Sequence, residues 1–216
     1  MLNPQKIGYK PKEVEPYKDA TVINIFCEGD KRESDYFTYF NELSRKLIIQ
    51  IIKPDCDSSP EKLKYKCEEI IKNDKNSKFD EIWFVIDKDS WEIKSIKSLK
   101  NYCNQNKNFN MVVSNPCFEV WLYYHFYKTK PIESIDKWKN FLHKKIKGGF
   151  DSNIHPMFIK NAIFFAKENF SGTQEFPEEA STSLYILGEK IYNLLRVYLD
   201  REMELNKNHL KIKEFI

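Results

Sequence analysis

Two short acidic motifs stand directly behind apolar runs. The run Thr21–Cys27 (TVINIFC) ends at Glu28-Gly29, and the run 81–86 (EIWFVI) ends at Asp87-Lys88-Asp89. A third run, Phe109–Val113, stops at Ser114-Asn115-Pro116, with Glu119 one helical turn further on. If these runs are parallel strands of one sheet, then Glu28, Asp87, Asp89, Asn115 and Glu119 meet beyond the carboxyl ends of the strands, where open α/β sheets bind ligands. Carboxylates crowded together there repel one another and raise each other's pKa unless something cationic sits among them. A hard divalent ion with oxygen ligands, Mg²⁺ or Mn²⁺, meets both needs. The D-x-D spacing suits it, because alternate residues leaving a strand point to the same side. An Asp behind a strand also serves as a helix cap, and Asp89 before Ser90-Trp91-Glu92 has that spacing. On the residues alone the two readings stand side by side.

The basic residues are placed less tellingly. Lys31 and Arg32 open the helix that follows Glu28-Gly29, where backbone donors at a helix start help to grip phosphate; solvation at a surface accounts for them equally. Lys144, Lys145 and Lys147, with His143, form the densest basic patch, just before Gly148-Gly149. The histidines His125, His143, His155 and His209 form no H-x-H or H-E-x-x-H pattern, and His125, ending an apolar helix, reads as structural. Cys27 and Cys117 lie beside the acids with no base indicated, which argues against a thiol nucleophile. The tryptophans read as packing residues.

These residues need a frame. After a polar, proline-bearing arm at 1–20 come a strand at 21–27, a helix at 33–46, a strand at 47–53, and a helix opened by Ser59-Pro60 with a capping serine and a proline in the first turn. A strand at 81–86, a helix at 92–106, a strand at 109–113 and an apolar helix at 116–127 follow. Short apolar strands alternating with amphipathic helices predict an α/β fold with a mostly parallel, four-stranded, Rossmann-like sheet flanked by helices. The core spans 21–130. Beyond it, helical periods at 133–146, 155–169 and 180–205 predict a helical extension over 131–216, with a loop at 169–180.

Composition narrows the classes. Lys and Arg number 35 against 32 Asp and Glu, a formal net charge of +3 that excludes a polycation and an acidic tail. Aromatics are 15% of the chain, enough to build a core. Only six glycines occur, and neither G-x-x-x-x-G-K-[ST] nor G-x-G-x-x-G is present, so phosphate would have to be handled without a glycine-rich loop. Five cysteines without a C-x-x-C pair form neither a disulfide framework nor a zinc set. With no apolar leader and no apolar run of membrane-spanning length, the expectation is a cytoplasmic protein with no membrane partner.

The pairing of strand–Glu-Gly with strand–Asp-x-Asp resembles the Toprim fold, the catalytic domain of topoisomerases, primases and several defence nucleases. More narrowly, CEGDKRESDYF (27–37), FVIDKDS (84–90), SNPCFEVWLYYHF (114–126), AIFFAKE (162–168) and STSLYILGEKI (181–191) resemble the RloB family, bacterial proteins encoded near restriction-modification and abortive-infection loci. The resemblance implies that Glu28 is the acid/base or metal-ligating carboxylate and that Asp87 and Asp89 hold Mg²⁺, which would stabilise charge on a phosphodiester and activate the attacking water. It implies that Asn115 and Glu119 complete the site, with Glu119 in place of the further acid that Toprim proteins often carry where Ser90 and Trp91 stand here. Lys145, in a region where such proteins tend to carry a lysine, is a candidate phosphate contact. The implied function is Mg²⁺- or Mn²⁺-dependent cleavage of DNA or RNA in anti-phage defence. The alternatives are an effector subunit that is silent until a partner ATPase activates it, and another phosphotransfer on nucleotides.

Overall fold

The computed structural model describes residues 20–29, 31–53, 59–73, 80–89, 91–132 and 134–206. The expected arm at 1–20 therefore lies outside the described residues except for Ala20, as does the end of the extension beyond 206. Five strands form one sheet in the order β2-β1-β3-β4-β5. They are β1 (Thr21–Cys27), β2 (Leu47–Ile52), β3 (Glu81–Asp87), β4 (Phe109–Asn115) and β5 (Ser181–Thr182). The first four pair in parallel and β5 runs antiparallel to β4. The α/β class and the mostly parallel sheet match the sequence expectation.

Side-chain alternation along the strands sorts the core into two layers. Ile23, Ile25 and Cys27 of β1, Trp83 and Val85 of β3, and Val112 of β4 face one layer. Phe26, Ile82, Phe84, Ile86, Met111 and Val113 face the other. The second layer is closed by α2 (Pro60–Asn73) through Leu63 and Cys67, and by α3 (Ile93–Asn104) through Ile96, Leu99 and Cys103. Ser59 caps α2 as expected, its Oγ accepting from Lys62 N at 3.4 Å. The first layer is larger. It holds α1 (Arg32–Leu43), α4 (Glu119–Tyr123), α5 (Trp138–Lys145), a 3-10 turn at His155–Phe158, α6 (Ile159–Glu168) and α7 (Tyr185–Leu205). One continuous buried cluster joins Tyr36, Phe118 and Trp121 to Trp138, Ala162, Ile191 and Leu195. The helices after 131 thus share the core of the sheet's first face.

Three differences from the sequence reading have local causes. The sheet has a fifth strand where a loop and helix start are expected. Ser181–Thr182 carries no apolar signal because polar contacts hold it: Ser114 Oγ and Thr182 Oγ1 lie 2.8 Å apart, and Ser183 Oγ accepts from Val113 N at 2.8 Å. The apolar segment 116–127 keeps α-helical geometry only over Glu119–Tyr123, because His125 N and Phe126 N bond three residues back, to Leu122 O and Tyr123 O. Finally, α5 begins at Trp138, several residues later than its period suggests.

Among the described residues no helix is long and apolar enough to cross a membrane.

Candidate active site

Parallel register brings the motif-bearing strand ends side by side. Cys27 of β1 lies opposite Val85, and Asp87 of β3 lies opposite Ser114 of β4. Glu28 therefore emerges level with the end of β3, and its carboxylate accepts a hydrogen bond from Asp87 N at 3.2 Å. The same oxygen accepts from Trp91 Nε1. Trp91, which reads as a packing residue in the sequence, is thus also a positioning group for Glu28. Asp87 continues the alternation of Trp83 and Val85 and faces the layer of α1 and α4.

A further carboxylate, absent from the sequence prediction, completes the group. Glu33, in the first turn of α1, is only 6% exposed. Its side chain fills the space over Gly29: a Cβ on Gly29 would stand 1.8 Å from Glu33 Oε2. This explains the glycine of the Glu-Gly motif as a close approach, the backbone at 29 making room for a buried carboxylate. An acid at a helix start is normally read as a partner of the helix dipole, so nothing in the sequence singled Glu33 out.

Burial and crowding leave an electrostatic mark. Burial pushes the Glu28 carboxyl up to about 8, with Glu33 and Asp89 adding to the shift against the hydrogen bonds from Trp91 and Asp87. Asp87 is raised well above the ordinary carboxylate range, first by burial and then by Glu28, Glu33, Glu119 and Asp89. Glu33 is raised by burial, with Glu119 adding to it. Cys27 and Cys117 border the group, and burial pushes both thiols up, Cys27 to about 12. Neither has the character of a nucleophile, as the sequence reading holds.

The other predicted residues divide. Asp89 is exposed, at the rim of the cluster. Glu119 pairs with Arg32, which links the cluster to the start of α1. Lys31 is exposed at the N-cap of that helix. Asn115 turns to the 169–180 segment, its Nδ2 donating to Pro177 O at 2.8 Å, and Lys88 Nζ donates to the same carbonyl at 3.2 Å. Here, then, Asn115 anchors a loop over the end of β4. Lys145 lies with its Nζ 5.6 Å from the centre of the Phe141 ring and lines a cavity with Tyr123 and Tyr127. Its neighbour Lys144, on the other flank of α5, lines a cavity with Arg32. His125 is fully buried, with Nδ1 3.0 Å from Trp121 O and Nε2 3.2 Å from Tyr36 Oη, and burial lowers its pKa to about 3. It is structural, as expected.

The donor set fits a hard cation in type: every candidate ligand is a carboxylate oxygen, and for Glu28 and Asp87 burial and neighbouring carboxylates oppose ionisation. Among the described residues no three His, Cys, Asp or Glu side chains form a ready cage for a metal ion. Mg²⁺ does not demand one, since it keeps several waters and is commonly held by one or two carboxylates together with substrate phosphates.

The close approach at Gly29 makes a prediction. Gly29→Ala forces the Glu33 carboxylate out of its place and lowers stability by about 1 kcal/mol. In a Glu33→Ala background the same change is nearly neutral, because the obstacle is gone. Thermal melts of the four proteins in the cycle measure the coupling; equal costs of Gly29→Ala in both backgrounds would contradict it.

Comparison with known proteins gives one family. No curated protein and no solved structure shows a significant match. The family model described as RloB-like protein matches residues 23–191, more than half of the 216-residue chain, a span that includes all five carboxylates of the cluster, and the chain belongs to the RloB-like family.

Proposed function

We propose that this protein is a Toprim-type, metal-dependent nuclease that hydrolyses phosphodiester bonds of DNA or RNA in bacterial anti-phage defence. The observation that carries the reading is the convergence of Glu28, Glu33, Asp87, Asp89 and Glu119 at the adjacent ends of β1, β3 and β4, with the carboxyls of Glu28, Glu33 and Asp87 raised above their usual range. Asp87 with Glu28 would hold Mg²⁺ or Mn²⁺, with Glu119 and Asp89 at the margin. Such an ion supplies charge stabilisation on the phosphoryl oxygens and a more acidic water. Where Glu28 is not engaged by the ion, burial pushes its carboxyl up to about 8, close enough to neutral pH for a general acid or base. Trp91 and the Asp87 amide fix this carboxyl.

A second reading is favoured by one contact. Arg32 pairs with Glu119, so one proposed ligand is engaged by a cation of the chain itself. A formal net charge of only +3 also gives weak long-range attraction for a polyanion. Both fit an effector that rests until a partner, such as an ATPase of the same locus, releases Glu119.

The test is cleavage of end-labelled DNA and RNA by the purified chain with Mg²⁺ or Mn²⁺, with and without EDTA. Metal-dependent cleavage lost in the Asp87→Ala/Asp89→Ala double variant is expected. Cleavage that survives that change overturns the site assignment. An inert chain that becomes active on addition of a partner ATPase decides for the second reading.

A further inference from the structure

A cavity of about 300 Å³ opens beside the carboxylate cluster, lined by Arg32, Lys139, His143, Lys144, Gly149 and Phe150 among others. Three of its lining residues are permanent cations, one is a histidine, and none is an acid. Arg32 belongs to both places, since it lines the cavity and pairs with Glu119.

The helix dipole accounts for only part of this charge. Lys144 and His143 lie in the last turn of α5, where cations complement the helix dipole. Lys139 lies at the opposite end, just after an N-cap lysine, in a first turn without an acid; there a cation opposes the dipole. Arg32, the first residue of α1, is likewise at the unfavourable end of its helix. Lys139 and Lys144 are exposed and have no ion-pair partner among the described residues. The cavity thus gathers cations from two helices, two of them placed against local preference.

Its walls have a second character. Gly148 and Gly149, both in the left-handed region at φ 82° and 81°, turn the chain after α5, and the next residue is the half-buried Phe150. Phe150 is fixed by ring contacts to Tyr36, His125, Phe126 and His155. A packed aromatic beside exposed cations is the pairing that holds single-stranded nucleic acid, with bases on rings and phosphates on Lys and Arg. The cavity has the volume of a small-ligand pocket, the scale of a single unstacked nucleotide.

We propose that this cavity seats a nucleotide of a single-stranded polynucleotide, with Lys139, Lys144 and Arg32 on its phosphates and Phe150 under its base. The assignment rests on the nuclease reading: it leads the strand past Arg32 to Glu119 and the other carboxylates. It names the substrate as single-stranded, or locally unpaired, nucleic acid.

The experiment measures binding apart from cleavage. Fluorescence polarisation with a labelled 20-nucleotide DNA, the same sequence as RNA, and the corresponding duplexes is run on the full chain in EDTA. Single strands are expected to bind at least tenfold more tightly than duplexes. Lys139→Glu/Lys144→Glu weakens single-strand binding at least tenfold and flattens its salt dependence by about 1.4 in the log–log slope, two phosphate contacts at about 0.7 each. Lys62→Glu/Lys94→Glu changes net charge equally on the exposed surface of α2 and α3 and leaves binding within twofold. The proposal is overturned if the two double variants bind alike, if duplex binds as well as single strand, or if the wild-type chain binds neither at low salt. Intact binding without metal-dependent cleavage, alone or with a partner ATPase, removes the nuclease reading and leaves the binding site standing; cleavage that the Lys139/Lys144 reversal does not touch does the opposite.

Discussion

Asp87→Asn is expected to yield a folded protein that is more stable than the parent above neutral pH and, under the proposed nuclease function, slower in cleavage by roughly 10²–10³-fold or more. The gain in stability follows from linkage. Asp87 is half-buried, and its pKa is raised first by burial and then by the charge of Glu28, Glu33, Glu119 and Asp89. An acid with a raised folded pKa binds more protons in the native than in the unfolded chain between its two pKa values, so stability falls as pH climbs through that window. Glu28 behaves alike, with a window from about 4.5 to about 8. At pH 8 the parent chain must ionise these groups against burial or stay protonated where the unfolded chain is ionised. Asparagine removes one of them at little change in shape, for an expected gain of about 1–3 kcal/mol at pH 8 and almost none at pH 4. Denaturant melts across pH 4–9 measure the difference. Under the proposed metal assignment Mg²⁺ adds a second readout: it is expected to raise the melting temperature of the parent by mass action and that of Asp87→Asn much less. A variant that is destabilised at pH 8, or that responds to Mg²⁺ like the parent, would show that Asp87 is held by an internal cation and is not a ligand.

Tyr36→Ala has the largest expected effect on folding, a loss of about 3–5 kcal/mol. Tyr36 is fully buried, with Phe37, Phe40, Phe118 and His125 rings centred 5.1–5.6 Å away. Its hydroxyl partner is Nε2 of His125, 3.2 Å away. Since His125 Nδ1 donates to Trp121 O and the ring is neutral, Nε2 is the acceptor and Tyr36 the donor. Truncation thus opens a cavity and strands a buried nitrogen. Against the 5–15 kcal/mol stability usual for a domain, this leaves the fold marginal. Tyr36→Phe keeps the ring and loses about 1–2 kcal/mol. Urea titration of the two variants separates packing from the hydrogen bond. The consequence reaches the site, because Tyr36 locks α1, which carries Arg32 and Glu33, onto the segment of α4, which carries Glu119. A Tyr36→Ala protein as stable as Tyr36→Phe would refute that role.

The strands of the parallel sheet were legible as short apolar runs ended by polar or charged residues, and Glu28, Asp87 and Asp89 were legible as such breaks behind β1 and β3. β5 was not, because Ser181 and Thr182 are fixed by hydroxyl contacts that leave no hydrophobic period. Glu33 looks like any acid in the first turn of a helix, and only the missing Cβ at Gly29 shows why it is buried. Trp91 reads as apolar bulk although its ring nitrogen serves Glu28. Along α5 the basic patch was visible, yet which lysine turns toward Arg32 depends on helix phase. Lys139, His143 and Lys144 share one flank, and Lys145 falls on the other.

The sequence by itself determined the order of elements and the placing of acids at strand ends, since both depend on patterns a few residues long. Tertiary structure decided the rest. It set which acids face one another, that Arg32 engages Glu119, that Asn115 and Lys88 hold Pro177, and that a basic cavity adjoins the carboxylates. The contacts of Glu28 with Asp87, Arg32 with Glu119, and Asn115 and Lys88 with Pro177 join residues 59 to 89 positions apart, and such distances are closed only by the register of parallel strands and the packing of helices upon them, neither of which is written in any local run of the chain.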